Sequence, residues 1–390
     1  MSNFDHVYNR KETNSVKWDA VQQMYKESDL LPLWVADMDF KVHQPILDAM
    51  SEYIAQGILG YATTPDSLYE SIQQWQKRKH NYIVEKEAIL FNSGVVPSVA
   101  LAIQAYTKPG DHVMINDPVY HPFAKVIKMN HREVVRSPLF EHDGKFMIDF
   151  DEMEQLLQKE QVKLFILCNP HNPGGRVWQN QELIRIGNLC KKHNVLVISD
   201  EIHQDLVFPP AAFTTFINAD PSFKDFSIIL TAATKTFNLA GIKNSMIFIH
   251  DAALRKQFVT VQEMNQQSEI NTLGLIGTEA AYNYGDEWLD ELLVYLQGNI
   301  EAVAHFLSND LPKVKMMKPE GTYLIWLDFS DLALSDKQLE KRLIEKGKIV
   351  MNTGISFGPS GSQHMRLNIA CPQATLLEGL KRIKTAFEGL

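Results

Sequence analysis

Hydrophobic residues follow two alternating patterns through the first three quarters of the chain. Apolar residues at three- and four-residue spacing predict amphipathic helices over Pro45–Gln56, Ser67–His80, Pro97–Thr107, Tyr120–Met129, Asp151–Lys159 and Gln181–His193. Between these helices lie short continuous apolar runs at Ala88–Phe91, His112–Ile115, Lys163–Cys168, Val195–Ser199, Ser227–Leu230 and Ser245–Ile249. Such runs are typical of strands buried on both faces of a mainly parallel sheet. The pattern therefore predicts a large α/β domain over residues 46–285.

The pattern changes after residue 285. Helices are predicted over Asp286–Asn309, over Asp336–Lys346 and from Gln373, with strands at Lys313–Met317, Tyr323–Phe329, Lys348–Asn352 and Met365–Ala370. This order is typical of a smaller α+β domain. Residues 1–45 are too few to form a core of their own. We expect them to pack onto residues 286–390, so that both segments make up the small domain.

Composition and charge narrow the class of protein. The 390 residues are 45% hydrophobic and 22% charged, which suits two globular domains and excludes disorder as the main state. A net charge of −9 does not attract nucleic acid or an anionic membrane. No apolar run approaches the ~18 residues of a membrane span, and the first ten residues do not resemble a signal peptide. Three cysteines without CxxC spacing predict neither disulfides nor a zinc site. We expect a cytoplasmic enzyme that binds no metal.

Ligands of an open parallel sheet bind at the carboxyl ends of its strands, so the residues after each strand are informative. After Ala88–Phe91 comes a turn, Asn92–Pro97, that begins a helix and leaves backbone N–H groups free to bind phosphate. The alternative is that Ser93 only caps this helix. After Lys163–Cys168 comes Asn169–Trp178, a rigid loop of Asn, Pro and Gly that directs Asn172 into a cleft, although such residues also form ordinary turns.

Two further strand ends carry an acid and a lysine. Asp200 follows the Val195–Ser199 run, where a carboxylate is costly unless it is paired with a cationic nitrogen. Lys235 lies among small hydroxyl residues after the Ser227–Leu230 run. A lone lysine is usually a solvated surface charge, but one desolvated in a cleft loses its proton more readily, as a Schiff-base lysine must. A phosphate cradle, a directed Asn, an Asp and a lysine nucleophile together match the demands of pyridoxal 5′-phosphate (PLP).

Several strings extend this interpretation to a family. They are LWVADMDF (Leu33–Phe40), GYATTP (Gly60–Pro65), SGVVPSV (Ser93–Val99), DPVYHPF (Asp117–Phe123), NPHNPGGR (Asn169–Arg176), SDEIH (Ser199–His203), TKTFNLAG (Thr234–Gly241) and MRLNIACP (Met365–Pro372). With them the whole chain resembles the fold-type I PLP enzymes of the aspartate-aminotransferase superfamily. Within that superfamily it is similar to the cystathionine β-lyase branch that includes MalY, PatB and cystalysin. The resemblance implies a seven-stranded, mainly parallel sheet between helices and a homodimer with its active site at the interface.

The resemblance also implies residue roles. Lys235 forms the imine with PLP, Asp200 pairs with the pyridine nitrogen, Asn172 bonds the phenolic oxygen, and Tyr120 stacks on the ring. The phosphate is held by Gly94 and Val95, by Thr234 and Lys243, and by Tyr61 of the neighbouring subunit. Arg366 binds the substrate α-carboxylate, with the backbone near Ala36 closing that side. His203 is either a cofactor contact or a structural histidine. Ala232 and Lys243 depart from the serine and arginine of many superfamily members, so the phosphate contacts are the least defined.

The implied reaction is α,β-elimination of L-cystathionine or an L-cysteine S-conjugate to a thiol, pyruvate and ammonia. The alternative is an aminotransferase acting on a small amino acid, since both reactions need the same lysine, Asp and Arg. A G-x-S-x-G string at Gly354–Gly358 also matches the nucleophile elbow of hydrolases, but Pro359 and Gly361 follow where the elbow needs a helix. A regulatory protein that keeps the PLP fold is the remaining, non-enzymatic alternative.

Overall fold

The computed structural model describes residues 3–27, 29–268 and 270–389. Its helices in chain order are α1 (Ala20–Tyr25), α2 (Gln44–Ala55), α3 (Asp66–His80), α4 (Val95–Tyr106), α5 (Pro122–Met129), α6 (Phe150–Lys159), α7 (Asn180–Lys192), α8 (Phe216–Ala219), α9 (Ala233–Thr236), α10 (Ala252–Met264), α11 (Thr272–Tyr284), α12 (Asp286–Asp310), α13 (Asp336–Glu345) and α14 (Gln373–Phe387). Its strands are β1 (Leu31–Pro32), β2 (Ile89–Asn92), β3 (His112–Asp117), β4 (Glu133–His142), β5 (Lys145–Ile148), β6 (Leu164–Cys168), β7 (Leu196–Asp200), β8 (Ser227–Thr231), β9 (Ser245–Phe248), β10 (Lys315–Met317), β11 (Leu324–Asp328), β12 (Ile349–Val350), β13 (Asn352–Thr353) and β14 (His364–Asn368).

The largest sheet has the strand order β2-β9-β8-β7-β6-β3-β4-β5. Strands β4, β3, β6, β7 and β8 pair in parallel, whereas β9 runs antiparallel to both of its neighbours. Each parallel pair requires a crossover, and helices supply it. The six strands predicted from apolar runs all lie in this sheet, and the predicted α/β class is confirmed.

The sheet contains eight strands, where seven were expected. The additional edge strand β5 forms a hairpin with β4, in which His142 is paired with Lys145. Asp143 and Gly144 form the two-residue turn with φ values of 50° and 69°, and positive φ at both positions is typical of the tight hairpin turns that Asp-Gly favours. Strand β4 gives no continuous apolar run because its buried and exposed positions alternate towards the edge of the sheet. Its period-two pattern was therefore missed.

Helices cover both faces of the sheet because its central strands are apolar on both sides. In β6, Phe165 and Leu167 pack into one hydrophobic cluster, whereas Leu164 and Ile166 pack into a second cluster on the other face with residues of α4 and α5. Successive side chains of a strand point to opposite faces, so a continuous apolar run fills two cores at once. This burial fixes the sheet and thereby the position of every loop at its carboxyl edge.

The C-terminal part contains a four-stranded antiparallel sheet of order β10-β11-β14-β13. The N-terminal segment reaches it through a short parallel pair, in which Leu31 is opposite Ile349 and Pro32 is opposite Val350. This pairing is compatible with the predicted small domain, whose division from the large domain stays a prediction. Residues 1, 2, 28 and 390 of that predicted domain, and residue 269 of the large one, lie outside the described residues.

The long helix α12 is amphipathic. Leu292, Leu296 and Ile300 are buried at four-residue spacing, while Asp286 and Glu287 lie in its acidic first turn. Throughout the described part of the chain, no helix combines the length and apolar character needed to cross a bilayer.

Candidate active site

A cavity of about 540 Å³ lies at the carboxyl ends of β6, β7 and β8. This is the edge at which ligands bind in open α/β sheets. Most of the predicted site residues line it, namely Ala36, Gly94, Val95, Tyr120, Asn172, Asp200, His203, Thr234, Lys235 and Lys243. The fold thus brings together residues that are far apart in the chain, from Ala36 to Lys243.

One end of the cavity is formed by the start of α4. Gly94 is the N-cap, and no side chain caps the helix, so Ser93 does not fill the capping role considered above. The first N–H groups of a helix have no partner within the helix and carry its partial positive charge. A cap with no side chain leaves the Val95 N–H open to the cavity, where it suits a phosphate group.

Asp200 ends β7 on the cavity wall and is only 3% exposed. Burial raises the pKa of this carboxyl group to about 7, although the Ile202 N–H donates to it at 3.1 Å and the charge of Lys235 favours its ionised form. A carboxylate in such surroundings is stabilised by a cationic partner. A protonated pyridine nitrogen is a partner of this kind.

Lys235 lies in the short helix α9, directly after β8. Its Nζ donates to the Ala36 carbonyl oxygen at 2.6 Å. Burial and the positive charge of Arg366 together lower the pKa of the amine to about 8. A lysine with this pKa is unprotonated in a substantial fraction of molecules near neutral pH, as a nucleophile and proton acceptor must be.

Arg366 lies in β14 and is not itself among the residues that line the cavity, but it contacts the lining residue Asn172. The buried guanidinium donates to Asn172 Oδ1 at 3.0 Å, to the Trp34 carbonyl at 2.9 Å and to Asn352 Oδ1 at 2.6 Å. Burial lowers its pKa to about 10. Its Nε has no hydrogen-bond partner among the described residues. A buried guanidinium with a free donor is suited to bind a carboxylate.

His203 and Tyr120 form the remaining wall. His203 is 2% exposed, and its Nδ1 has no partner in the part of the chain that the model describes. Burial lowers the pKa of this histidine well below its usual range, so the ring is neutral. Burial also raises the pKa of the Tyr120 hydroxyl, which keeps it protonated. The site therefore holds a neutral imidazole and a neutral phenol beside the charged residues.

Tyr61 does not line this cavity. It is fully exposed and lies at a separate cavity beside Tyr69 and Phe91. Within one chain, the predicted phosphate contact of Tyr61 is therefore not formed. The contact across two subunits that was predicted for Tyr61 stays a prediction.

Sequence reasoning missed several residues that hold the site together. Tyr323 is buried, and its hydroxyl donates to the same Ala36 carbonyl that Lys235 contacts, at 2.9 Å. Asn238 and Asn368 hold the backbone on either side of Ala36. The positions of the two asparagines, three residues after Lys235 and two after Arg366, were a local signal that could have been used. Nothing in the sequence near Tyr323 links it to Ala36.

The string at Gly354–Gly358 does not form a nucleophile elbow. Residues Gly354–Phe357 form a 3₁₀ turn, and the Ser356 hydroxyl donates to the Thr353 carbonyl at 2.6 Å. An elbow places its serine between a strand and a helix with the hydroxyl free. The hydrolase interpretation is therefore not supported.

The fold and the cavity are those of an enzyme that places a lysine amine and a buried carboxylate, here Lys235 and Asp200, at the carboxyl edge of a mixed α/β sheet. Comparison with known proteins agrees with this class. The chain belongs to the aminotransferase class I and II family, whose model matches residues 28–383.

Three similar proteins show which reactions occur among the relatives of this chain. The chain is 44% identical to cystathionine beta-lyase PatB of Bacillus subtilis (strain 168), over 98% of this chain and 99% of PatB. Cystalysin from Treponema denticola, whose crystal structure contains a pyridoxal 5′-phosphate cofactor, superposes with a TM-score of 0.97 at 34% identity, over 100% of this chain and 99% of cystalysin. The PLP-bound C-S lyase from Staphylococcus hominis superposes with a TM-score of 0.93 at 33% identity, over 99% and 98% of the two chains.

Proposed function

We propose that the protein is a PLP-dependent carbon–sulfur β-lyase that converts L-cystathionine and L-cysteine S-conjugates to a thiol, pyruvate and ammonia. The observation that carries the proposal is the convergence of Lys235, Asp200 and Asn172 in one cavity, with Arg366 donating to Asn172 from just behind the lining. The lyases named above, which match the chain over nearly its full length, support the choice of reaction.

The cavity fits PLP by its own chemistry. The uncapped start of α4 suits the phosphate, and Asp200 suits a protonated pyridine nitrogen. His203 Nδ1 and Arg366 Nε are buried polar atoms that have no hydrogen-bond partner among the described residues. A bound cofactor or substrate would supply these partners. The cofactor contacts we propose are the N–H groups of Gly94 and Val95, the side chains of Tyr120, Asn172, Asp200, His203, Thr234, Lys235 and Lys243, and Tyr61 of a second chain.

When bound, PLP supplies an electron sink for the pair released from the substrate Cα–H bond. Arg366 orients the substrate through its α-carboxylate, with Asn172 fixing the guanidinium. Lys235 Nζ takes the α-proton. The Cβ–S bond then breaks, and its electrons leave with the thiolate. The unsaturated amine that remains is hydrolysed to pyruvate and ammonia. Asp200, deep on the cavity wall, would keep the pyridine nitrogen of the cofactor positively charged. That charge would stabilise the electron pair released from the Cα–H bond.

An aminotransferase acting on a small amino acid is the alternative, because the same residues carry its first steps. The deciding assay mixes the PLP-loaded protein with L-cystathionine and no keto acid, and measures pyruvate and thiol. We expect steady release of both. Conversion that appears only after a keto acid is added would replace the lyase with the aminotransferase.

We also propose that the protein acts as a homodimer. Ile58, Leu59 and Tyr61 expose apolar surface on the segment of residues 57–65, which has no regular secondary structure. A second copy of the chain is the partner that the family resemblance implies, and it would bring Tyr61 to the neighbouring phosphate site. The buried free cysteines Cys168, Cys190 and Cys371 agree with the cytoplasmic location that we propose.

Mixing two inactive variants tests the shared site. We expect Tyr61→Ala and Lys235→Ala each to have little activity alone. In a mixed dimer, one site combines an intact Lys235 with an intact Tyr61 from the partner. Random exchange of subunits should therefore restore about a quarter of wild-type turnover, because half of the dimers are mixed and each has one native site of two. No gain on mixing, with exchange verified by mass, would place Tyr61 outside the neighbouring site.

A further inference from the structure

The segment Trp34–Asp39, here called the strap, passes along the cavity with alternating backbone contacts. The Trp34 carbonyl accepts from Arg366 at 2.9 Å, and the Ala36 carbonyl accepts from Lys235 at 2.6 Å and from Tyr323 at 2.9 Å. The strap therefore contacts directly both cationic groups that handle the substrate.

The opposite side of the strap is held by two asparagines. Asn368 Nδ2 donates to the Val35 and Asp37 carbonyls at 2.6 and 2.7 Å. Asn238 accepts from the Met38 N–H and donates to the Met38 carbonyl, both at 3.0 Å. Both asparagines belong to the segments that carry Arg366 and Lys235. A movement of the strap would therefore change the surroundings of both Arg366 and Lys235.

The two strap carboxylates pair with residues from the start of the chain. Arg10 donates to both oxygens of Asp37 at 2.9 Å and to Asp39 at 2.6 Å. Lys17, which is fully buried, donates to Asp39 at 2.7 Å and lies 3.8 Å from Asp37. We call these four residues the charge cluster. A buried ion pair contributes little net stability, because desolvation of the charges offsets their attraction, whereas it holds its backbone in one geometry.

We propose that Arg10 and Lys17 are positioning residues of the active site: through Asp37 and Asp39 they hold the strap, and thereby set the position and charge environment of the Lys235 amine. The inference deepens the proposed function, because it concerns the same lysine. It makes the N-terminal segment, which we predict to belong to the small domain, a functional part of the active site.

The charge cluster has a measurable electrostatic consequence. The negative charge of Asp37 raises the pKa of Lys235, against the larger lowering effects of burial and Arg366. Arg10 partly cancels the Asp37 charge, because it forms two bonds with that carboxylate. The other groups around the amine, which stay unchanged in the test, are Arg366, Asp200, Lys243, Tyr120, His203 and Tyr323.

The test uses cofactor-stripped protein and measures how fast it regains the visible absorbance of bound PLP, as a function of pH. This rate follows the unprotonated fraction of Lys235, so the wild-type midpoint is expected near the lysine pKa of about 8. Arg10→Met removes the closer of the two cations beside Asp37 and should raise the midpoint by about half a pH unit or more. Asp37→Asn removes the negative charge that favours the protonated amine and should lower the midpoint. Arg10→Lys should restore most of the wild-type value.

Arg132→Met is the matched control. Arg132, like Arg10, is an arginine largely shielded from solvent, but its hydrogen bonds go to Ile103, Thr107 and Asn130 rather than to the strap. It should lower the melting temperature as Arg10→Met does, without moving the midpoint. In PLP-loaded protein, Arg10→Met should raise KM as well as lower kcat, since Arg366 is docked on the same strap.

If Arg10→Met and Asp37→Asn both fold and neither shifts the pH midpoint of PLP binding, the proposal is refuted. The charge cluster would then only stabilise the fold. The two substitutions are expected to shift the midpoint in opposite directions, which general loosening of the fold would not produce. If Arg10→Met does not fold, Asp37→Asn alone decides, because Asp37 is partly exposed. Opposite shifts in a protein that releases no pyruvate from cystathionine would support the positioning role while refuting the proposed lyase function.

Discussion

Replacing Lys235 with alanine is expected to lower pyruvate release from L-cystathionine by at least ~10³-fold, because the substitution removes both the nucleophilic amine and the proton acceptor. The chain offers no substitute in place, since the other cavity lysine, Lys243, lies on the exposed side of the wall. Activity should be measured at saturating PLP, with circular dichroism to show that the variant is folded.

Lys235→Arg separates charge from proton transfer. Arginine keeps a positive charge beside Ala36, but its pKa lies so high that it neither attacks an aldehyde nor accepts the α-proton. We expect this variant to be as inactive as Lys235→Ala. Turnover within tenfold of wild type in either variant would refute the assignment of Lys235, whatever reaction the enzyme catalyses.

Three of the predicted site residues lie at the end of a strand, just after one, or at the start of a helix: Asp200, Lys235 and Gly94. Asp200 and Lys235 were found because continuous apolar runs mark buried strands and the carboxyl ends of parallel strands meet at one edge. Gly94 was found because the turn before a helix exposes N–H groups. For these residues, local pattern and topology together are sufficient.

The residues it missed act through partners that are distant in the sequence. Tyr323 contacts Ala36 across 287 residues, and Arg10 contacts Asp37 across 27, without any periodicity that links them. An arginine and an aspartate in a polar segment are usually solvated, so neither composition nor spacing predicts that these two form a partly buried pair. Only tertiary packing determines these contacts.

The same distinction explains the outcome for Tyr61. The family resemblance assigned this residue to a phosphate site, yet in a single chain its side chain is fully exposed at another cavity. Its predicted role depends on a contact between chains, and no pattern within one sequence encodes such a contact. The mixed-dimer experiment therefore carries more information about Tyr61 than any single variant.

Replacing Asp200 with asparagine is expected to have two opposite effects. Turnover should fall by about 10²- to 10³-fold, because a neutral amide no longer stabilises positive charge on the cofactor nitrogen. Cofactor-free protein should become more stable at pH 8, because the substitution removes a carboxylate that is buried without a cationic hydrogen-bond partner among the described residues. A residue that weakens the empty fold while enabling the reaction is typical of a functional site.

The stability gained by cofactor-free Asp200→Asn should depend on pH, because the pKa of Asp200 is raised in the folded protein. The Asp200 pKa is about 7 in the folded protein, against about 4 in an unfolded chain. The unfolded state therefore releases this proton first, and the stability that the carboxyl group costs grows as pH rises from about 4 to about 7. The advantage of Asp200→Asn over wild type should be larger at pH 8 than at pH 5. Urea unfolding of both cofactor-free proteins at the two pH values measures it.

Asn172→Asp is a suitable companion substitution, since it places a carboxyl group on the same cavity wall beside Arg366 rather than removing one. It should not reproduce the stabilisation at pH 8. An Asp200→Asn protein whose advantage is equal at pH 5 and pH 8 would show that the wild-type carboxyl group is already ionised at pH 5. Asp200 would then have a nearby cation in the empty site, and its proposed pairing with the cofactor nitrogen would lose its electrostatic basis.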